Sequence, residues 1–417
     1  MNEYDSGLLE SLLIAAGFKK VEDEQSADLV ILNTCSVRHK AEERALGRIR
    51  SVAGGRGQKK EIAVIGCMAQ RLGDRLLQEN QSVKYVLGTD NFYRLAEILK
   101  SGNGSAVVDI SCREEPLDLV TSGNSRVSSY VTIMRGCDNY CSYCIVPYVR
   151  GRERCRPPQK IVEEMRLHEE SGIKEIWLLG QNVNSYKFES LDFPKLLKHL
   201  LRETSLPRIR FLTSHPKDFS EELIDIMAGE KRICSSIHLP LQSGSDSVLK
   251  RMNRKYTAEQ YLRKVETLKK KLPEVVLTTD IIVGFSGEGE QDYQATRNLM
   301  ERIEYNSAFM FRYSVRSGTK AEQFGDDIPE EVKLSRLDDL IRFQKDISER
   351  KMAALVGSTQ EVLIEEPSRQ DGSDARGKSD GGINVVVRGA SDKIGKIVQV
   401  KIISSSYTTL VGEITSG

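Results

Sequence analysis

The sequence has no long hydrophobic run and no apolar leader. No apolar segment approaches the roughly 20 residues needed to cross a bilayer, and residues 1–5 (Met-Asn-Glu-Tyr-Asp) lack the basic start of a secretory signal peptide. The formal net charge of the 417 residues is +1, so overall charge gives no indication of a nucleic-acid partner. We therefore expect a cytoplasmic protein with no membrane partner.

Histidine is also scarce, with five residues, whereas cysteine occurs eight times. In a reducing compartment, clustered thiols more often bind metals or carry out redox chemistry than form disulfides. The chain is too long for one ordinary hydrophobic core, so two or three domains are expected.

The first part of the chain, residues 1–105, predicts an open α/β sheet domain. Helical patterns at 8–16 and 41–52 alternate with short apolar runs at 28–33, 61–66 and 85–88. Cys35 and Cys67 each follow the carboxyl end of a predicted strand, which is the edge where open α/β sheets bind ligands. A stretch rich in Gly, Ser and Asn predicts a linker over 106–129.

Strand and helix patterns alternate again over residues 130–354. Six strands are predicted, at 131–134, 175–179, 208–212, 236–239, 275–283 and 308–313. Six βα units in series predict a partial (β/α)6 barrel with its site at the C-terminal ends of the strands. After a long charged helix over 330–354, residues 355–417 are rich in Val, Ile, Thr and Gly and predict a small antiparallel barrel or sandwich.

Three cysteines with CxxxCxxC spacing, Cys137, Cys141 and Cys144, come directly after a predicted strand. Three close thiolates can bind three irons of a 4Fe–4S cluster and leave the fourth open to chelate S-adenosylmethionine. The alternative is a structural zinc knuckle. Zinc takes a fourth protein ligand, but none is adjacent, and the nearest histidine, His168, lies well along a predicted helix. The spacing therefore favours the cluster.

The wider sequence around these cysteines resembles the radical S-adenosylmethionine methylthiotransferases. The resemblance spans almost the whole chain and rests on the strings 135–154 (RGCDNYCSYCIVPYVRGRER), 179–186 (LGQNVNSY), 213–216 (TSHP), 238–245 (HLPLQSGS), 280–285 (DIIVGF), 33–38 (NTCSVR) and 66–68 (GCM). It implies a radical S-adenosylmethionine core and, at the C-terminus, an RNA-binding β-barrel of the TRAM type.

Within that family, Asp138-Asn139 and the 181–184 string favour the branch that acts on tRNA. The resemblance implies that a reduced 4Fe–4S cluster cleaves S-adenosylmethionine to a radical, which abstracts hydrogen from C2 of N6-isopentenyladenosine in the anticodon loop, and that a methylthio group is added there. The family alternatives are an aspartate of a ribosomal protein and threonylcarbamoyladenosine in tRNA. A zinc-containing RNA-binding protein is the non-enzyme alternative.

The resemblance also implies a second, auxiliary 4Fe–4S cluster that takes part in sulfur donation. Two of its three cysteine positions match Cys35 and Cys67. The third lies in a Gly-Cys-Gln-Met-Asn string of the family, whereas this sequence begins at Met1-Asn2, so we expect a start assigned to an internal methionine. The alternative is that the protein has lost part of its sulfur-donating apparatus. Cys112, Cys155 and Cys234 do not match that position. A reductant such as flavodoxin or ferredoxin, and sulfur-donating or cluster-assembly proteins, are the implied partners.

Further candidate residues lie beside these motifs. Predicted S-adenosylmethionine contacts are Gly180, Gln181, Gln242, Ser243 and Asp280; the alternatives are an ordinary strand-to-helix turn for the first two and a satisfied core polar group for Asp280. A basic run next to the cluster cysteines predicts contacts to tRNA phosphates, although most charge runs are merely solvated: Arg150, Arg152, Arg154 and Arg156.

Overall fold

The computed structural model describes residues 1–37, 39–54, 60–102, 105–111, 127–369 and 371–415. The chain forms two compact units. The N-terminal unit comprises residues 1–124, 135–140 and 144–160, and the core unit comprises 125–134, 141–143 and 161–417. Most of the predicted linker, including Cys112, lies outside the described residues. Within the described part of the chain, no helix is long and apolar enough to span a membrane.

The N-terminal unit contains a parallel four-stranded sheet in the order β1-β2-β3-β4. The apolar side chains of β2 are fully buried, as is usual for a central strand of a parallel sheet. The predicted linker was wrong at its start, since 107–109 form the edge strand β4, which is too short to show a periodic pattern. The elements are α1 (Asn2–Ala15), β1 (Leu29–Thr34), α2 (His39–Ala53), β2 (Glu61–Gly66), α3 (Cys67–Leu72), α4 (Arg75–Glu79), β3 (Val83–Leu87), α5 (Leu95–Ser101) and β4 (Val107–Asp109).

The next stretch of chain, up to residue 354, alternates strands and helices. Its elements are β5 (Ser128–Thr132), β6 (Met134–Arg135), α6 (Val146–Arg150), β7 (Arg154–Cys155), α7 (Pro158–Glu170), β8 (Glu175–Leu179), β9 (Lys187–Phe188), β10 (Leu191–Asp192), α8 (Phe193–Glu203), β11 (Arg208–Phe211), α9 (Glu221–Gly229), β12 (Ser236–His238), α10 (Asp246–Arg251), α11 (Ala258–Lys271), β13 (Val276–Val283), α12 (Glu290–Ile303), β14 (Ser307–Arg312) and α13 (Glu330–Ala354).

Six of these strands form two three-stranded sheets in the core unit. The parallel sheets β5-β8-β11 and β12-β13-β14 meet through a bridge between Ile209 and Ile233. Helix α11 begins with a capping box of Thr257 and Gln260, which the spacing of a threonine and a glutamine three residues apart predicts from the sequence. The six predicted strands and their order are thus confirmed. All six are parallel, so their carboxyl ends share one edge.

The C-terminal strands form a closed barrel in the order β15-β16-β17-β19-β18. They are β15 (Thr359–Pro367), β16 (Ala375–Ser379), β17 (Asn384–Arg388), β18 (Ile397–Ser405) and β19 (Thr409–Ile414). The barrel is not fully antiparallel as predicted, because β17 and β19 pair in parallel. That pairing closes the barrel and leaves no open edge between these two strands.

Two arginines of β11 fix this barrel to the strands of the core. Arg208 donates to the carbonyl oxygen of Lys378 at 3.0 Å, and Arg210 donates to that of Ser379 at 2.8 Å. Arg210 also donates to Glu175 at 2.8 Å, and all three charged side chains are almost fully buried. We refer to Arg208 and Arg210 as the arginine clasp.

Candidate metal and cofactor site

The segment that carries Cys137 and Cys144 in the N-terminal unit begins with a tight backbone approach. Gly136 has a φ of +79°, and a Cβ there would lie 1.9 Å from the carbonyl oxygen of Arg152. The backbone N–H of Cys137 donates to the carbonyl of Gly151 at 3.2 Å. The amide of Asn139 donates to the Sγ of Cys137 at 3.4 Å. The loop therefore orients the first thiol and supplies it with an N–H donor.

The middle cysteine, Cys141, belongs to the core unit and is buried. Ser142 anchors the segment, since its N–H donates to the carbonyl of Met252 and its hydroxyl donates to that of Arg251. The guanidinium of Arg254 donates to the Sγ of Cys141 at 3.3 Å. A second thiol thus has a hydrogen-bond donor, in this case a charged one.

The chemistry of these sulfur atoms fits an iron–sulfur cluster. None of the described cysteines forms a disulfide, and N–H donors to sulfur are a feature of protein-bound clusters. Among the described residues, no three His, Cys, Asp or Glu side chains form a group that could hold one metal ion. A cluster differs from a single ion in this respect, because each thiolate binds a different iron and the sulfur atoms need not converge on one point.

Unpartnered polar atoms lie at the carboxyl ends of three core strands. Within the described part of the chain, both side-chain polar atoms of Asn184, Nε2 of His215 and Oε1 of Gln242 are buried without a hydrogen-bond partner. These residues follow β8, β11 and β12, and Gln242 adopts a left-handed φ of +69°. Buried polar groups without partners are rare in folded proteins. The arrangement therefore suits a polar ligand bound at this edge.

His215 is held in its neutral form. Burial, together with the nearby charges of Arg254 and Lys217, lowers its pKa to about 2. Its Nδ1 accepts the backbone N–H of Lys217 at 3.2 Å, which leaves Nε2 to carry the ring proton. His215 can therefore donate a hydrogen bond from Nε2 without introducing a positive charge.

The residues predicted from sequence to contact S-adenosylmethionine differ in their neighbouring atoms. Gly180 follows β8, and a Cβ there would lie 2.5 Å from Cγ of Met134, so only glycine fits. The hydroxyl of Ser243 lies 3.2 Å from that of Thr296. One oxygen of Asp280 lies 3.3 Å from Nε2 of His238. Gln181 lies directly after Gly180 and is half-buried.

Cys35 and Cys67 lie at one edge of the N-terminal sheet, as predicted. Cys35 follows β1, and Cys67 begins α3. Burial raises the pKa of Cys67, whereas the neighbouring Arg150 opposes that rise. Arg150 donates to Asp5 at 3.1 Å. The described residues place two thiols here, which is one fewer than the family pattern requires.

The predicted RNA-binding arginines are mostly engaged within the protein. Arg150 and Arg156 are buried, with 5% and 3% exposure, which does not suit contact with a phosphate from solvent. Arg154 pairs with Asp90 at 2.6 Å. Arg152 pairs with Asp138 at 3.3 Å, but its side chain is 80% exposed. Of the four, Arg152 is the residue whose position suits the predicted role.

Sequence reasoning missed Arg254 as a partner of the cluster cysteines. It stands between Asn253 and Lys255 in a polar stretch, where nothing marks it as buried. His215 and Asn184 lay within strings that carried the family resemblance, but no separate role was inferred for them. A histidine followed by proline directly after a predicted barrel strand was the available signal.

Comparison with known families matches three parts of the chain. Residues 131–300 match the radical SAM superfamily, residues 1–88 match the uncharacterized protein family UPF0004, and residues 353–415 match the TRAM domain. The predicted radical S-adenosylmethionine core and C-terminal TRAM barrel are confirmed.

Relatives match the chain over its whole length. The chain is 42% identical over 423 residues to the tRNA-2-methylthio-N(6)-dimethylallyladenosine synthase of Thermodesulfovibrio yellowstonii, covering 100% of this chain and 96% of the relative. It is 44% identical to the synthase of the same name from Geobacter sulfurreducens, covering 100% and 95%. Among solved structures, it resembles the radical S-adenosylmethionine methyltransferase TsrM from Kitasatospora setae, with a TM-score of 0.51, 14% identity and coverage of 72% and 64%. The similarity to TsrM concerns the fold alone.

Proposed function

Because the chain belongs to the family of tRNA-2-methylthio-N(6)-dimethylallyladenosine synthases, we propose that it adds a methylthio group to C2 of N6-isopentenyladenosine in the tRNA anticodon loop. The observation that carries this proposal is the similarity to those synthases over the whole chain. The target base lies in a single-stranded loop, where bases are open to protein recognition.

The three cysteines of the CxxxCxxC segment are the proposed ligands of the catalytic 4Fe–4S cluster. Cys137, Cys141 and Cys144 would bind three irons and leave one open to S-adenosylmethionine. When bound and reduced, the cluster supplies the electron that cleaves S-adenosylmethionine and starts radical chemistry at the adenine. The donors from Asn139 and Arg254 to two of the sulfur atoms support this assignment.

The strand ends of the core unit are the proposed site of S-adenosylmethionine. Asn184, His215 and Gln242 offer unpartnered polar atoms to its amino acid and ribose groups. Because Gly180 has no side chain, the ligand can approach the backbone after β8. The remaining members of the proposed contact set are Gln181, Ser243 and Asp280.

A second cluster at Cys35 and Cys67 is the proposed source of the transferred sulfur. Two thiols at one sheet edge support it, and a third ligand is still needed. Iron analysis after anaerobic reconstitution separates the possibilities, since one cluster gives about four irons per chain and two give about eight. A Cys35→Ala/Cys67→Ala variant that loses no iron would remove this part of the proposal.

Recognition of tRNA is assigned to the TRAM barrel and to Arg152. The exposed side chain of Arg152 supports the second assignment. Electrons would come from flavodoxin or ferredoxin, and sulfur from sulfur-donating or cluster-assembly proteins.

Activity can be tested with tRNA that carries N6-isopentenyladenosine but no methylthio group. The reconstituted protein is incubated anaerobically with this tRNA, S-adenosylmethionine and dithionite, and the nucleosides are analysed by mass spectrometry. When iron analysis gives about eight irons per chain, so that the second cluster is complete, we expect the 2-methylthio derivative to appear with the wild type and not with Cys141→Ala. Cys155→Ser is the matched control, and we expect it to remain active.

The same assay separates the family alternatives. Substrates are tRNA carrying threonylcarbamoyladenosine and, in a parallel reaction, ribosomal protein. Methylthiolation of either in place of isopentenyladenosine would overturn the proposed substrate. A colourless reconstituted protein with zinc and no iron would overturn the radical mechanism.

A further inference from the structure

Arg254 is a buried cation, and its hydrogen-bond partners do not balance its charge. Its residue is 9% exposed, and its side chain comes from the segment between α10 and α11. The guanidinium donates to the hydroxyl of Tyr256 at 3.0 Å, the carbonyl of Pro240 at 3.2 Å and the Sγ of Cys141 at 3.3 Å. None of these three partners is a carboxylate.

In the part of the chain that the structure describes, no carboxylate forms an ion pair with Arg254. A buried charge without a counter-charge is strongly unfavourable. Arginine stays protonated in proteins. The guanidinium therefore remains charged and needs a negative partner.

The sulfur of Cys141 indicates what that partner is. A 4Fe–4S cluster with three thiolate ligands is an anion, and reduction adds a further negative charge. Net charge and hydrogen bonds to the sulfur atoms are two of the factors that set cluster potentials. A fixed cation that donates to one ligand sulfur therefore favours the reduced state.

Building on the proposed function, which assigns Cys141 to the catalytic cluster, we propose that Arg254 is the counter-ion of that cluster and raises its reduction potential. Arg254 is a positioning residue in this role. It acts through Cys141 and makes the cluster easier to reduce by a weak biological donor.

The test is an EPR-monitored redox titration without S-adenosylmethionine. All variants are made in a Cys35→Ala/Cys67→Ala background, so that signals from a second cluster do not interfere. For Arg254→Met we expect the ratio of reduced to oxidised cluster at a fixed potential to fall about tenfold, which equals a shift of about 59 mV. Arg254→Lys keeps the charge and should lie between Arg254→Met and the background protein.

Arg263→Met is the matched control, because the side chain of Arg263 is 73% exposed and pairs with Glu259 on α11. We expect its potential to equal that of the background protein. An unchanged potential in Arg254→Met with full iron content would overturn the inference. Weaker S-adenosylmethionine binding with an unchanged potential would also overturn it, because Arg254 would then be the partner of the ligand.

Stability measurements cover the case in which Arg254→Met holds no cluster. The inference predicts that this variant without iron unfolds at the same urea concentration as the iron-free background protein, or at a higher one, since an unpaired buried charge has been removed. A lower midpoint would assign Arg254 a purely structural role and overturn the inference. If Cys141→Ala retains the cluster signal, the cluster assignment itself has failed, and that outcome is distinct from the others.

Discussion

At the scale of single residues, His215 makes the clearest prediction about pH. Burial lowers its pKa to about 2, whereas the unfolded chain has an ordinary histidine pKa of about 6.5. The unfolded state therefore binds an extra proton as the pH falls below that value, and the folded state loses stability. Between pH 7.5 and 5.5 this loss is about 1.4 kcal/mol.

The variant His215→Asn should remove this contribution while keeping an acceptor for the N–H of Lys217. Urea unfolding at the two pH values gives the loss of unfolding free energy for each protein. The difference in that loss between wild type and variant is the contribution of His215. Burial also lowers the pKa of His168, but that contribution is common to both proteins and cancels. If His215→Asn keeps the wild-type pH dependence, His215 is not held neutral.

Residue roles could be predicted from sequence where the chemistry is local. Cys137, Cys141 and Cys144 lie within eight consecutive positions, so their spacing alone indicated a shared cluster. Arg254 is 113 positions away from Cys141, and only the fold brings them together. Arg150 and Arg156 show the opposite case, since a basic run reveals charge but not burial.

At the scale of elements, the loop that starts at Gly136 should tolerate no side chain at its first position. Gly136→Ala combines a left-handed φ with a Cβ only 1.9 Å from the carbonyl oxygen of Arg152. We expect the free energy of unfolding to fall by about 2 kcal/mol or more, with less iron retained after reconstitution. Urea unfolding and iron analysis provide the two measurements.

Gly151→Ala is the matched control for that loop. Gly151 has a φ of +71°, but its Cβ position is open, with no heavy atom within 4 Å. Its φ of +71° and ψ of −162° form a backbone conformation that essentially only glycine adopts, so it should show that backbone cost alone, about 1–3 kcal/mol, and a smaller loss than Gly136→Ala. Equal effects of the two substitutions would mean that the close approach at Gly136 does not matter.

Elements were predictable where a run of residues is long enough to show a pattern. The six core strands, the helix over 330–354 and the capping box of Thr257 were found because each leaves a local signal. The three-residue strand β4 has no such signal, and it was assigned to a linker. The parallel pairing of β17 with β19 depends on how distant strands close a barrel, which local pattern does not specify.

At the scale of the whole molecule, sequence indicated a separate C-terminal barrel but not its attachment to the core. The barrel is fixed by backbone carbonyls that accept from the arginine clasp. Carbonyl acceptors are present in every sequence, so no pattern in residues 355–417 marks them. The clasp arginines stand in a predicted core strand, where two buried charges are unexpected. Their burial was therefore not foreseen.

The clasp predicts that the barrel and the core unfold together. Arg210→Met leaves Glu175 buried with Arg208 as its remaining cation at 3.9 Å, and breaking such a buried pair costs about 3 kcal/mol. Trp177, the only tryptophan, reports on the contact because Arg210 of the core and Lys378 of the barrel both lie over its ring. In the wild type, its fluorescence should change at the same urea concentration as the circular dichroism signal.

In Arg210→Met we expect the fluorescence change to come first, because the barrel separates before the core unfolds. The exposed Arg202→Met should behave as wild type, since surface substitutions of this kind change stability by less than about 0.5 kcal/mol. Adding Glu175→Gln to Arg210→Met should recover part of the lost stability by removing the buried charge. If the wild type already shows a separate, earlier fluorescence change, the barrel separates from the core before the core unfolds, and the buried arginines do not couple their unfolding.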